Sequence, residues 1–497
     1  MNHFYRLLAS GVLLLLLLTG CLRQERLTNV FPSLSKKQEN SIQEQQPAPD
    51  LLHAAVSPGD TLNPYTLSTR MNNQLMPLLY DPLVKLDQNY QPQNYLAETL
   101  TLSDTACTVR LRGDAFFSDG SPLTAADVLY SLELCMRNSR EHRYGNLLSS
   151  SAPDEKTLVF SLARPDAYFA SLLSFPIIRQ GSGEENCPPG TGRYRLSGQN
   201  RLLRNDRHFE GGSPIREIGL IPVEDVKEIG YEVITGRLDY ALLDLDAFPV
   251  ETAGSFPVQT NNLLYLGCNN LLYPMNDPAF RQALGLLIDR GELVNRAYSG
   301  RAVSAPAPIN PLFLQMEEAE PDIQAANELI DSLGLTARDE NGYRMAGSRT
   351  LELQLAINVE NTNKRAVSKL LQLQLEKGGL RLVINEYSYE QYKLQIGMGA
   401  YSLYLGQVLL PEDMDISAFL SEEGALHYQL GNTGELYALY LSARQTPEAY
   451  RSFLFQFKNE QPFIPLLFPQ SLVARSRNFY SSVLATEQDI FYNIHKW

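Results

Sequence analysis

The 497-residue chain has one tryptophan, Trp497, five cysteines and six histidines. Cys21, Cys107, Cys135, Cys187 and Cys268 include no close pair, and no histidine stands beside them at metal-finger spacing, which excludes zinc-finger and thioredoxin-type motifs. Such wide spacing favours buried thiols over disulfides. Catalytic signatures are missing as well. There is no Gly-x-Ser-x-Gly, no His-Glu-x-x-His and no P-loop, and His53, His142, His208 and His427 are isolated. Neither enzymatic turnover nor a cofactor is expected. Positive charge is also in deficit: the chain carries 42 Lys and Arg against 56 Asp and Glu, a net charge of -14, so it lacks the basic stripe that nucleic acid requires. No internal repeat is found, and no apolar run after Asp50 approaches the roughly 20 residues needed to span a bilayer.

What is present begins with Arg6, the apolar run Leu7 to Leu18, and the small residues Thr19 and Gly20 ahead of Cys21. This is the pattern of a signal peptide over residues 1–20. Its apolar run is about a dozen residues, too short for a transmembrane helix. The order Leu18-Thr19-Gly20-Cys21 resembles the lipobox of bacterial lipoproteins, which implies cleavage before Cys21 and lipid on its thiol. Ordinary secretory cleavage with Cys21 a bystander is the alternative. Residues 21–49 are rich in Gln, Glu, Ser, Lys and Asn and too poor in large apolar groups to order themselves, so a flexible tether is expected. Loss of residues 1–20, whose one Lys or Arg is Arg6, takes the net charge from -14 to -15. A remainder of this length calls for two or three lobes.

Within that remainder, Leu351, Leu353, Leu355 and Ile357 alternate with polar residues and predict a strand. Ala366, Val367, Leu370, Leu371 and Gln374 then share a helical face, which Gly378-Gly379 ends. Leu380, Leu382 and Ile384 alternate, Tyr389 to Ile396 is helical, and Tyr401 to Leu405 is a third apolar run. The order β-α-β-α-β predicts a mostly parallel sheet covered by helices. Asp277-Pro278 opens another helix, Thr124 with Asp127 resembles a capping box, and a third helix runs from Ile323 to Leu333 before Gly334. Short strand-like runs surround these elements, giving an α/β chain.

The wording of the sequence resembles the extracellular solute-binding proteins, family 5, of oligopeptide, dipeptide and nickel ABC transporters. The resemblance rests most on Val109-Arg110-Leu111-Arg112 followed by Phe117-Ser118-Asp119-Gly120-Ser121-Pro122-Leu123-Thr124-Ala125-Ala126-Asp127-Val128. Asp60-Thr61-Leu62-Asn63-Pro64, Tyr80-Asp81-Pro82-Leu83, Gly190-Thr191-Gly192 and Phe280-Arg281-Gln282-Ala283-Leu284 add to it. Arg193 stands where the family usually has proline. The resemblance implies an α/β, two-lobed, type II periplasmic-binding-protein fold with mixed sheets, its lobes joined by crossing hinge segments. Residues 50–262 and 471–497 would form lobe I, with an extra subdomain at about 80–165, and residues 263–470 would form lobe II.

In open α/β sheets ligands gather outside the carboxyl ends of strands, which singles out the loops 358–363 and 407–415. Asn358 and Asn361 can hydrogen-bond neutral groups in the first. Where the family commonly has Gly-Trp and then an Asp that can pair with a peptide amine, this chain has Gly406-Gln407, with Leu409 or Leu410 in the place of the Asp. Either Asp413 or Asp415 supplies the acid from a reshaped loop, or both are solvated charges and Val408-Leu409-Leu410 floors a less polar pocket. Tyr65 is the candidate from the first lobe, with a packed tyrosine the alternative. The resemblance implies a monomeric, lipid-anchored importer subunit that captures a small solute, an oligopeptide above others, and hands it to a membrane permease. A receptor for a nickel chelate or sugar, or a peptide-sensing lipoprotein, shares the same fold.

Overall fold

The computed structural model describes residues 50–138, 143–243, 254–317, 320–477 and 482–497. The signal peptide, Cys21 and the tether expected from sequence lie outside the described residues.

Leu51–Val56 pairs in parallel with Glu217–Pro222, and Arg201–Arg204 and Tyr194–Leu196 extend this sheet in antiparallel fashion. Its buried face, with Leu52, Ala54, Ile218 and Leu220, shares a core with Leu78, Leu79, Tyr194 and the chain's last residue, Trp497. The indole of Trp497 meets the Tyr240 ring edge-on at 4.9 Å. Gly190 and Gly192 explain themselves here. A Cβ on either would come within 2.1 Å of Leu79 O or 2.3 Å of Leu79 C, so the absence of a side chain is what lets the two backbones touch.

A second sheet, antiparallel, orders Ala97–Leu102, Ala106–Leu111, Thr157–Leu162 and Leu147–Asp154 side by side. Helix Ala125–Asn138 contributes Ala125, Val128 and Leu132 to its core. At the helix start the Asp127 carboxylate accepts from Thr124 N at 2.9 Å and from Thr124 Oγ1 at 2.7 Å, the back-bond half of the capping pair seen in the sequence. Gly120, at φ +91°, makes the tight turn ahead of it.

The largest core belongs to the second lobe. Glu352–Asn358 pairs in parallel with both Arg381–Tyr387 and Leu403–Leu409, joined by helices Thr362–Glu376 and Tyr389–Met398, which is the β-α-β-α-β unit that the apolar periodicity predicts. Gly379, at φ +74°, follows the first of these helices. The sheet as a whole is mixed, because Asn262–Cys268 runs antiparallel to Leu403–Leu409. Helix Pro278–Leu287 starts at Asp277, whose side chain accepts from Ala279 N, and buries Phe280, Ala283, Leu284 and Leu287 against it. About thirty almost fully buried apolar side chains, the Leu, Ile, Val, Phe and Met among them contributing some 1.5–3 kcal/mol each, make this burial the main force holding the lobe together.

Two chain segments join the lobes. The 13-residue strand Phe463–Arg475 pairs with Asn262–Cys268 through Phe463–Leu467 and with Phe256–Gln259 through Gln470–Val473. Residues 260 and 261 cross beside it: Thr260 Oγ1 donates to Pro469 O at 2.7 Å and Asn310 Nδ2 to Thr260 O at 3.0 Å. Cys107, Cys135, Cys187 and Cys268 are free thiols. Burial pushes the thiols of Cys107 and Cys268 up to about 12, so both are inert at neutral pH.

Candidate functional site

Strand Leu403–Leu409 ends at the crossing segments. Gln407 and Val408 are half-buried there, Val408 against the second lobe's aromatic cluster, while Leu409 is exposed. Leu410 turns inward, and its backbone N–H donates to Asn261 O at 3.0 Å, which ties the loop to the crossing segment.

The two acids of this loop are committed within the protein. Asp413 is 4% exposed, and its Oδ2 accepts from Arg444 Nη2 at 2.6 Å. Asp415 accepts from Tyr440 Oη at 2.7 Å and from Ser417 N at 2.8 Å. Burial, with the like charges of Asp415 and Asp166 adding to it, raises Asp413 well above the usual carboxylate range against the opposing pull of Arg444. Burial acts on Asp415 too, but Arg444, Ser417 and Tyr440 outweigh it and hold that group low.

In the loop after Glu352–Asn358, Asn358 Oδ1 accepts from Glu360 N at 3.0 Å, and Asn361 caps helix Thr362–Glu376 by accepting from Lys364 N at 3.0 Å. Tyr65 follows the buried Asn63, whose amide donates to Gly183 O and Glu185 O. Its hydroxyl donates to Pro176 O, and burial pushes the phenol well above its ordinary value.

Two cavities open around the turn 86–90 and the tail 485–492. One, of about 360 Å³, is lined by the turn 86–90, the crossing residues Gln259 and Gln470, Glu487 of the tail, and Val303 and Leu312 of the second lobe. The other, of about 170 Å³, lies between Lys85, Tyr80 and Asp489 on one side and Glu412 on the other. Leu86, Thr486 and Gln488 line both, so the two lie on either side of a shared wall and together make the candidate cleft. Gln88, Asn89, Gln259, Gln470 and Gln488 give it a wall rich in amides, of which two are joined to each other: Gln470 Nε2 donates to Gln259 Oε1 at 3.4 Å, and Gln259 Nε2 donates to Thr260 O at 3.2 Å. Its carboxylates are Asp87, Glu412, Glu487 and Asp489, and Lys85, 3.4 Å from Asp489, is its cation. Glu412 also forms an ion pair with Arg143. Burial pushes Glu487 up to about 7, against the opposing pull of the Asn261 N–H that it accepts.

None of Tyr65, Asn358, Asn361, Gln407, Val408, Leu410, Asp413 and Asp415 lines these two cavities; Glu412, from the loop 407–415, does, together with the turn 86–90 and the tail 485–492. The tail carries one local signal, the polar run Thr486-Glu487-Gln488-Asp489 set between apolar Val483-Leu484-Ala485 and Ile490-Phe491.

Residues 91–423 match the model of the bacterial extracellular solute-binding proteins, family 5. The chain belongs to that family. That is a family of solute-binding proteins rather than of enzymes. The glutathione-binding protein GsiB of Escherichia coli (strain K12) is 27% identical over 320 residues, covering 58% of this chain and 62% of that protein, less than two thirds of its length. Among solved structures, a nickel ABC transporter protein from Bacillus halodurans aligns with a TM-score of 0.73 at 20% identity, over 88% of this chain and 98% of that one. The oligopeptide-binding protein AppA of Bacillus subtilis, solved with a nonapeptide, gives 0.62 at 19% identity over 90% and 98%. These likenesses establish the type II two-lobed fold.

Proposed function

We propose that this chain is the solute-binding subunit of an ABC importer, held at the outer face of the membrane by lipid on Cys21, and that its solute is a short peptide. It acts as a monomer. Lobe I (residues 50–262 and 471–497) and lobe II (263–470) pivot on residues 259–262 and 469–471, and the closed form docks on the permease. The observation that carries the ligand class is the amide wall of the cleft. Five Gln and Asn residues line a cavity of about 360 Å³, and amides there suit the alternating C=O and N–H groups of two or three peptide units. The volume favours a di- or tripeptide over a longer one. That preference is in keeping with the glutathione named for GsiB.

Glu487 and Glu412 line the cavities and are the acids offered to a ligand amine, which would compete with the Asn261 N–H at Glu487 and with Arg143 at Glu412; Asp413 and Asp415 line neither cavity and act on the loop itself. Gln407, Val408 and Leu410 shape the strand end beside the hinge. Tyr65, Asn358 and Asn361 serve by holding the surrounding loops.

A thermal-shift screen against dipeptides, tripeptides including glutathione, a nonapeptide, sugars and nickel–histidine tests the reading. Short peptides are expected to raise the melting temperature most. No rise with any peptide beside a clear rise with another class would sink it.

A further inference from the structure

Away from the cleft wall, one short segment fastens one lobe to the other. Residues 169–173 are anchored in the core of the antiparallel subdomain through Phe169, Leu172 and Leu173, beside Leu83 and Val84. Just before them, Asp166, Ala167 and Tyr168 all reach across to the second lobe. Asp166 Oδ2 accepts from Arg444 Nε and Nη2, each at 3.2 Å. Ala167 N donates to Arg444 O at 2.9 Å. The Tyr168 ring packs between Phe313, at 5.1 Å, and Tyr450, at 5.6 Å, and the Arg444 guanidinium lies 5.3 Å from its centre.

Arg444 has five N–H donors, and the chain itself takes up all of them. Two go to Asp166, one to Asp413 Oδ2, one to Asp413 O at 3.1 Å and one to Tyr440 Oη at 3.0 Å. The same side chain therefore fixes the loop at Asp413 and grips the opposite lobe. Because a buried guanidinium with a donor unmet is costly, opening the lobes carries a penalty that water offsets only in part. No group from a solute is needed to complete the contact.

We propose that Asp166–Tyr168 and Arg444 form a latch that holds the two lobes closed by protein contacts alone, so that a solute adds to a closed population already present rather than creating it. Closure is then a pre-existing equilibrium, and the latch sets its midpoint. The inference rests on the two-lobed fold and holds whatever the solute is.

The test uses protein stripped of solute by unfolding and refolding, with small-angle scattering and amide hydrogen exchange as readouts. Wild type is expected to scatter as the compact form, with the Ala167 amide protected more than about tenfold, since its partner lies on the other lobe. Asp166→Asn combined with Tyr168→Ala is expected to raise the radius of gyration and abolish that protection. Tyr168→Phe should match wild type in both, because the Tyr168 hydroxyl has no hydrogen-bond partner. Free exchange of the Ala167 amide in wild type overturns the latch, as does an equal radius of gyration in wild type and double variant. Should the double variant not fold, wild-type exchange decides alone.

Discussion

The backbone N–H of Asn261, in the segment that crosses between the lobes, donates to Glu487 Oε2 at 2.7 Å. A carboxyl from the tail thus fastens the segment 260–261, and Tyr90 braces the same place by donating to Gln259 O at 3.1 Å.

Glu487 makes stability depend on pH with a definite sign. Its carboxyl titrates near 4.5 when unfolded and is pushed by burial up to about 7 in the fold. Between those values the folded state keeps a proton that the unfolded state has released. Its contribution is therefore present below about pH 4.5 and is lost as pH rises through 7. Glu487→Gln keeps an acceptor for Asn261 without the charge. Melting curves at pH 5 and pH 8 should show the variant gaining on wild type at pH 8 and losing that advantage at pH 5.

Gly192→Ala tests the close approach of two backbones. Its Cβ would come within 2.3 Å of Leu79 C and 2.5 Å of Leu78 O, and neither atom belongs to a side chain that can swing away. The variant should lose about 1–3 kcal/mol or more in denaturant unfolding. Gly397→Ala, where no atom lies within 4 Å of the added carbon, should not lose stability.

Cys21→Ala tests the anchor. Labelled fatty acid should enter the wild-type protein and not the variant, and the variant should leave the membrane fraction. Retention of the variant on membranes would show that lipid on Cys21 is not the tether.

Local pattern carried much of the fold. Strand and helix periodicity from Leu351 to Leu405 marks the β-α-β-α-β unit because each element buries one face against one core. The Asp277 cap and the turn glycines Gly120 and Gly379 are likewise short-range features. The cleft was less legible. Its wall draws on the turn 86–90, the crossing residues 257–259 and 470, and the tail 485–488, which no periodicity links. Asp413 illustrates the limit: its acidic neighbourhood is plain in the sequence, but Arg444, which binds it, lies 31 positions on, and Asp166, which shares that arginine, is 278 positions from it.

The most direct test of the account is calorimetric titration of glutathione and other tripeptides into wild type and into Gln88→Ala, Gln259→Ala and Gln488→Ala. Wild type should bind at least one tripeptide. Each variant should weaken that binding by roughly 2- to 13-fold, as a lost hydrogen bond of about 0.5–1.5 kcal/mol requires. Tripeptide binding that all three substitutions leave unchanged, or no binding by wild type, would contradict the assignment of this cleft as the peptide site.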